Sequence, residues 1–451
     1  MTAPKTPLEA WIKEKIGFPS SVHLDPGDII KYQKTRLRQV LEEAQRHSPF
    51  YQRHFLGLSV DDFRCLQDLA RWPFTAAQDI RKDPSAFLCV SQGDIARVVT
   101  FPSEQTDEGP KRVYFTEADL ELTVDFFHHG MSLLVAPEQR VLILLPGHQP
   151  DSVGDLLVRG LSRMDVKGYV HGPVRDPLET INTILHLEID SLIGIPIQIL
   201  SLVRQVSGRT IPRNRLKSVL LSTDNVPWTI TEEINRVWGC PVYSHYGSTE
   251  MGYGGGVSCG AVDGYHLQEA DLFFEIIDHY SGKPLPDGQS GEIVFTTLTR
   301  QAMPLIRYRT GDLAALISEP CSCGSILRRL GPIQGQWRNL VGLQGGGRIG
   351  IVALDEAILA VPEILNYQAE ILMREDRDHL RLTVVTMAGN INQVARQVQK
   401  AVGRIPSLVP LLSQGLLEME INCRRDDPWF TRGNVKRTIL DRRRVFDKSR
   451  P

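Results

Sequence analysis

The sequence lacks any apolar run long enough to cross a bilayer. Its most apolar stretches, "RVLILLPG" and "SLIGIPIQILSLV", are too short or are broken by proline. It also lacks net charge: 51 Lys and Arg face 53 Asp and Glu, a formal balance of −2. That balance gives no overall reason to expect a nucleic acid or a membrane as partner. Cysteine is scarce and odd in number, seven in 451 residues, which argues against a disulfide framework. The opening "MTAPKTPLEAWIKEK" holds no uninterrupted apolar core of the kind a signal peptide needs. These absences together lead to the expectation of a cytoplasmic protein. Cys65, Cys89, Cys240 and Cys423 then read as small buried apolar residues. The basic stretch from Arg424 to Pro451 reads as a solvated surface.

What is present fits a globular chain of two or three domains, with 42% apolar and 23% charged residues. An N-terminal helical region carries Leu37, Val40, Leu41 and Ala44 at helical spacing. From about residue 95 to 250, short apolar runs alternate with helical patterns. "RVLILLP" precedes "SVGDLLVRGLSRM", "SLIGIP" precedes "IQILSLVRQV", and "LKSVLLST" precedes "TEEINRVWG". Strands interleaved with helices imply a mainly parallel sheet in an α/β domain. After residue 250, "LFFEIID" and "GEIVFTTL" flank a Gly/Pro/Asp-rich turn, which implies an antiparallel portion. The Gly-rich "VGLQGGGRIG" (341–350) sets off a final segment with helical "ALDEAILAV" and "INQVARQVQKAVGRI" around β-like "LRLTVVTM". That segment reads as a small α+β domain.

The stretch "VTFPSEQTDEGPKRVYFT" (99–116), ending on Thr116, follows a β-branched run and precedes the helical "EADLELTVDFFHHGMSLL". A loop between a strand and a helix is a common seat for nucleotide phosphates, because backbone N–H groups and the helix N-terminus favour anions. This loop nevertheless has one glycine and three carboxylates, Glu104, Asp107 and Glu108. Three later stretches complete a set: "YSHYGSTEMG" (243–252), "PLIRYRTGDL" (304–313) and "TRGNVKRTILDRR" (431–443).

In that order the stretches resemble the adenylate-forming ligases, and the chain as a whole resembles the phenylacetate–CoA ligase family. The likeness extends to "RLRQVLEEAQRHSPFYQRHF", "LQDLARWPFT" and "GQSGEIVFTTLTRQAMPLIRYRTGDL". The resemblance implies an α/β fold: a large N-terminal AMP-binding domain with mixed sheets (1–335), a hinge (336–345), and a small C-terminal α+β domain (346–451). It also implies the reaction, in which an acid is joined to AMP with loss of pyrophosphate and the acyl group then passes to a thiol, usually that of coenzyme A. ATP/AMP and Mg²⁺ are the implied cofactors. The implied partners are a small carboxylic acid and the nucleotide, with a homodimer left open.

The resemblance assigns nucleotide binding to Tyr246, Gly247, Ser248, Thr249, Asp312 and Arg309, and catalysis to Thr249 and Glu250. Tyr246 is implied beside adenine, a hydroxyl at the α-phosphate and Glu250 on Mg²⁺, residue types that suit those tasks. Asp312 is implied at the ribose, where one carboxylate can accept two O–H donors. "STDNVPW" (222–228) loosely occupies the place of an adenine-adjacent loop, and His245 with "GYGGG" (252–256) is implied at the border of the acyl pocket.

Other family features are altered. Against the family's SSGTTGKPK loop, Ser103, Thr106, Pro110 and Lys111 match, while Gln105 and Glu108 replace glycines, Asp107 a threonine and Gly109 a lysine. A carboxylate ~4 Å from a phosphate costs about 4 kcal/mol at an effective dielectric of about 20. The hinge motif GRxDD reads "GQWRN" (335–339), and the C-terminal catalytic lysine falls on Asn434, with Lys436 two residues on. Such a lysine neutralises charge developing at the transferring phosphoryl group.

Cys259, His266, Cys321 and Cys323 match a part of the phenylacetate–CoA ligase pattern that holds metal in some members. Three thiols and an imidazole suit a closed tetrahedral zinc site. The sequence therefore leads to an acid–thiol ligase working through acyl-AMP, with adenosine-side residues intact and phosphate-side residues altered. A non-catalytic nucleotide- or adenylate-binding pseudo-ligase and a zinc-pinned interaction scaffold are the alternatives.

Overall fold

The computed structural model describes residues 3–19, 21–101, 109–425 and 437–443. Glu104, Asp107 and Glu108, with Ser103, Gln105 and Thr106, lie outside the described residues, as do Asn434 and Lys436. The chain is mixed α/β and divides into two compact units. One comprises Met1–Gln139, Gly147–Gly168 and Tyr243–Ile333; the other comprises Arg140–Pro146, Tyr169–Val242 and Gln334–Pro451.

In the first unit, the helix Pro26–His47 starts where Asp25 and Asp28 cap each other's backbone N–H groups and proline occupies the first turn. It buries Leu37, Val40, Leu41 and Ala44, as the helical spacing predicts. The strands Arg97–Phe101 and Lys111–Phe115 form an antiparallel pair, with Phe101 opposite Lys111. The 99–116 stretch reads in sequence as a loop between a strand and a helix; its second part is itself a strand. Its inward residues Val113 and Phe115 are fully buried, whereas Lys111, Arg112 and Tyr114 give the segment a polar look in sequence. The helix Glu117–Met131 follows, opened by a capping box between Thr116 and Asp119. Its neighbour Val153–Ser162 approaches closely through Gly160, where a Cβ would come 3.1 Å from that of Phe127.

The same unit holds the expected antiparallel sheet, Leu272–Ile277, Gly291–Thr297 and Tyr308–Ala314 in that order. A second antiparallel run pairs His245 and Tyr246 with Gly256–Val257, and continues through Tyr265–Leu267 and Arg329–Leu330 to Leu316–Ile317.

In the second unit, Arg140–Ile143, Ser191–Gly194 and Ser218–Leu221 are parallel neighbours, buried almost throughout. The helices Pro196–Arg204 and Trp228–Trp238 follow the second and third of these strands; the latter ends on Gly239 at φ +72°, the left-handed cap glycine adopts without a Cβ clash. Residues 364–386 form a long antiparallel hairpin, flanked in parallel by Leu417–Arg424 on one side and Ile439–Asp441 on the other. Two arginines bind this unit internally. Arg204 donates to the carbonyls of Leu359 (2.7 Å) and Val361 (3.1 Å). Arg437, almost fully buried, grips both oxygens of Asp355 at 2.7 and 2.9 Å, and Tyr367 donates to the same carboxylate at 2.5 Å.

The four cysteines read as buried do not behave alike. Cys240 is buried, Cys89 and Cys423 are half-buried, and Cys65 is exposed. Cys65 precedes a helical turn, and its N–H and thiol both point to Asp68 at 2.9 and 3.4 Å. Polar capping, and not apolar packing, fixes its position.

Candidate functional site

The stretch Tyr246–Glu250 leaves the end of a strand and enters a single helical turn, Thr249–Met251. Ser248 caps that turn, its hydroxyl accepting from the Met251 N–H at 3.4 Å. Gly247 is required by close packing: a Cβ there would lie 2.4 Å from the carbonyl oxygen of Tyr253. The chain then reverses through Gly252 (φ +70°) and Tyr253 (φ +65°), and the Tyr253 ring stacks on Phe115.

Tyr246 donates its hydroxyl hydrogen to Asp312 Oδ2 at 2.9 Å. Burial, and then the Asp312 charge, pushes the Tyr246 phenol well above its usual range, so it stays a donor. Asp312 lies on the strand Tyr308–Ala314, and its N–H donates to Thr310 Oγ1 at 3.0 Å. Arg309, on the same strand, is committed elsewhere. Its guanidinium holds buried Glu292 through Nε at 2.9 Å, donates to the His279 carbonyl at 2.9 Å, and lies over the Phe74 ring.

Glu250 is buried and accepts from two side chains at one oxygen. Lys111 Nζ pairs with Oε1, and the Tyr308 hydroxyl donates to the same atom at 3.2 Å. Arg300 Nη1 donates to the Glu250 backbone carbonyl at 2.8 Å. Burial raises the Glu250 carboxyl, but the Lys111 charge and hydrogen bond, with a backbone N–H and the Ser248 hydroxyl, together hold it below its ordinary value. Arg300 is itself buried with its guanidinium over the Phe115 ring. Asp119 ties the neighbouring segment, accepting from the N–H groups of Gln301 and Ala302 at 2.7 and 2.9 Å.

The structure thus gathers Tyr246, Glu250 and Asp312 as expected and adds Lys111, Tyr308, Arg300 and Asp119. In sequence Lys111 stands out only as a loop match. Tyr308 and Arg300 lay inside quoted motifs, but nothing local marked them as partners of a residue some 50 to 60 positions away.

Beside these groups is a cavity of about 30 Å³ lined by Phe126, Met251, Gly252, Gly254, Gln268 and Arg300, among others. The Phe126 ring closes on Gly254, where a Cβ would come within 2.6 Å of it. His245, assigned with the glycines to the acyl border, is half-buried with its ring 5.8 Å from that of Phe126, and desolvation lowers it to about 4.

The four residues with metal-ligand chemistry also converge. The donor atoms of Cys259, His266, Cys321 and Cys323 all lie within 4.8 Å of one another, and all four residues are buried. Cys259 Sγ is 3.6 Å from Cys321 Sγ, and Cys323 Sγ is 3.4 Å from His266 Nε2. Tetrahedral bonds of about 2.3 Å to sulfur and about 2.0 Å to nitrogen imply ligand–ligand edges of roughly 3.8 and 3.5 Å. The donor set and its spacing therefore fit a zinc ion. Burial, then the Arg329 charge, lowers His266 to about 4, which leaves its imidazole neutral.

No family model matches the chain. The phenylacetate-coenzyme A ligase of Thermus thermophilus is 28% identical over 377 residues, covering 81% of this chain and 83% of that protein. That of Escherichia coli is 26% identical over 435 residues, covering 92% and 94%. Among solved structures, 2-hydroxyisobutyryl-CoA ligase in complex with 2-HIB-AMP matches with a TM-score of 0.78 at 20% identity, over 95% of this chain and 94% of that one. The anthranilate CoA ligase bound to anthranoyl-AMP matches with a TM-score of 0.54 at 13% identity, over 74% and 64%. At those identities the structural matches establish the fold. The relatives align along most of their length, and with Tyr246–Glu250 and Tyr308–Asp312 intact the chain is similar to the phenylacetate–CoA ligases, within the fold of the adenylate-forming ligases.

Proposed function

We propose that the protein activates a carboxylic acid as acyl-AMP at the expense of ATP and transfers the acyl group to a thiol, that of coenzyme A. Likeness to phenylacetate–CoA ligases favours an aromatic acid. The observation that carries the reading is the convergence of Tyr246, Asp312 and Glu250 in one place, each with the chemistry an adenylate needs. In the first step a carboxylate oxygen bonds to the α-phosphorus, the bridging bond to the β-phosphate breaks, and pyrophosphate leaves. In the second the thiolate sulfur bonds to the acyl carbon and AMP departs with the electron pair.

Within this proposal Asp312 receives the ribose hydroxyls, Tyr246 borders adenine, and Ser248 and Thr249 offer hydroxyls to the α-phosphate. The buried Arg300 supplies positive charge beside them, where low dielectric strengthens it, and the half-buried Lys111 pairs with Glu250. Mg²⁺ accompanies the triphosphate, and no step is routed through it. Residues 336–345 serve as the hinge between a large domain and a small α+β domain. A structural Zn²⁺ on Cys259, His266, Cys321 and Cys323 is part of the same proposal; with four protein ligands it fixes loops and leaves no open position for substrate.

Acid-dependent exchange between ATP and pyrophosphate, run over a panel of aromatic and aliphatic acids, tests the reading. Exchange with an aromatic acid is the expected result. Nucleotide binding by calorimetry without exchange would favour the pseudo-ligase instead, a reading supported by the carboxylates of the 103–108 loop and by Asn434.

A further inference from the structure

Glu250 is the residue that the family resemblance assigns to a divalent cation, and its surroundings do not suit that task. Oxygen ligands must converge on such a cation in numbers of six or more, with few other partners competing for them. Here Oε1 already takes the Lys111 ammonium and the Tyr308 hydroxyl. The side chains of Lys111 and Glu250 are only 15% and 8% exposed, so the pair is sheltered from solvent screening. Lys111 has a fixed origin as well: it sits on a paired strand opposite Phe101, and its Nζ lies 4.6 Å from the centre of that ring. A second cation, Arg300, is bonded to the backbone of the same glutamate. Among the described residues, the one group of three or more His, Cys, Asp or Glu able to gather on a metal is the Cys–His cluster. No second carboxylate among the described residues joins Glu250 in such a group.

We propose that Lys111 takes the place of a divalent cation at Glu250. The carboxylate is reserved for an internal ammonium, and Mg²⁺ that arrives with a nucleotide is held by phosphate oxygens and not by this side chain. Lys111 is then a positioning residue: it fixes Glu250 and, through Glu250, Tyr308. The inference deepens the ligase reading and rests on it for the presence of a nucleotide, but the cation preference of Glu250 can be measured without turnover.

The test is Mn²⁺ titration of nucleotide-free protein, followed by electron paramagnetic resonance, counting only binding that depends on Glu250. The expected result is that wild type and Glu250→Gln bind Mn²⁺ alike, within twofold. Lys111→Met should gain a site at least tenfold tighter, and the double variant Lys111→Met/Glu250→Gln should lose it again. A tenfold weakening of Mn²⁺ binding by Glu250→Gln with Lys111 present would overturn the proposal, as would a natively folded Lys111→Met that gains nothing. If Lys111→Met fails to fold, the comparison of wild type with Glu250→Gln decides alone. Absence of pyrophosphate exchange would count against the ligase reading and leave this measurement standing.

Discussion

Tyr246 and Asp312, 66 positions apart in sequence, are joined by a 2.9 Å hydrogen bond. The two groups assigned to opposite ends of adenosine thus fix each other's positions. A bound ribose must share the Asp312 carboxylate with the phenol. Asp312→Asn removes the charge that two ribose hydroxyls would share and should weaken AMP binding tenfold or more, about 1.5–3 kcal/mol for hydrogen bonds to a charged group. Tyr246→Phe removes only the tie and should change AMP affinity less than threefold. Calorimetry separates the two outcomes.

Arg309 looks like a nucleotide contact in sequence, yet its guanidinium is engaged with Glu292 and the His279 carbonyl. Glu292 is 1% exposed, so removing its partner leaves a buried charge uncompensated, a loss of about 3–5 kcal/mol. Arg309→Ala should therefore lower the melting temperature sharply while AMP affinity per folded molecule stays within threefold. A large affinity loss at unchanged stability would return Arg309 to the nucleotide.

Two histidines should make the protein sensitive to acid. Burial holds His245 and His129 down at about 4, so both are neutral in the native state near pH 7. A depressed histidine contributes stability that is complete above the unfolded value of about 6.5 and is lost as pH falls toward 4. For half-buried His245 the loss is at most about 3 kcal/mol. Urea midpoints between pH 7.5 and 4.5 should fall less steeply for His245→Asn than for wild type; identical slopes would refute the assignment.

The Cys–His cluster predicts one zinc per chain in the purified protein, measured by elemental analysis. Cys323→Ser should lose the metal and lower the melting temperature by several degrees, and a strong chelator should do the same to wild type. Protein that is metal-free as purified and indifferent to the chelator would leave the cluster as four buried reduced side chains.

How much of this was visible in the chain itself varied with the physics involved. Periodicity marked the helix Pro26–His47 and the strand–helix alternation, because one face of each element must be apolar. It missed Lys111–Phe115 and Ile364–Arg374, whose polar residues hide a buried face that only pairing reveals. The four metal-type residues were legible because they match a pattern that holds metal in some phenylacetate–CoA ligases, and their donor atoms lie within 4.8 Å of one another. The Lys111–Glu250 pair was not: it spans 139 positions, and no local pattern records which charge meets which. Arg309 shows the converse: a motif names a residue but not the partner, here Glu292, that its fold supplies.

Arg437 carries a further consequence. Its guanidinium is the counter-ion sealed in with Asp355, and the strand that follows it, Ile439–Asp441, completes the sheet edge beside Ile364–Arg374. A chain cut before position 437 would leave that carboxylate enclosed without a cation and expose one flank of the hairpin. This terminal region is a keystone, and tags or truncations placed there act on folding before they act on chemistry.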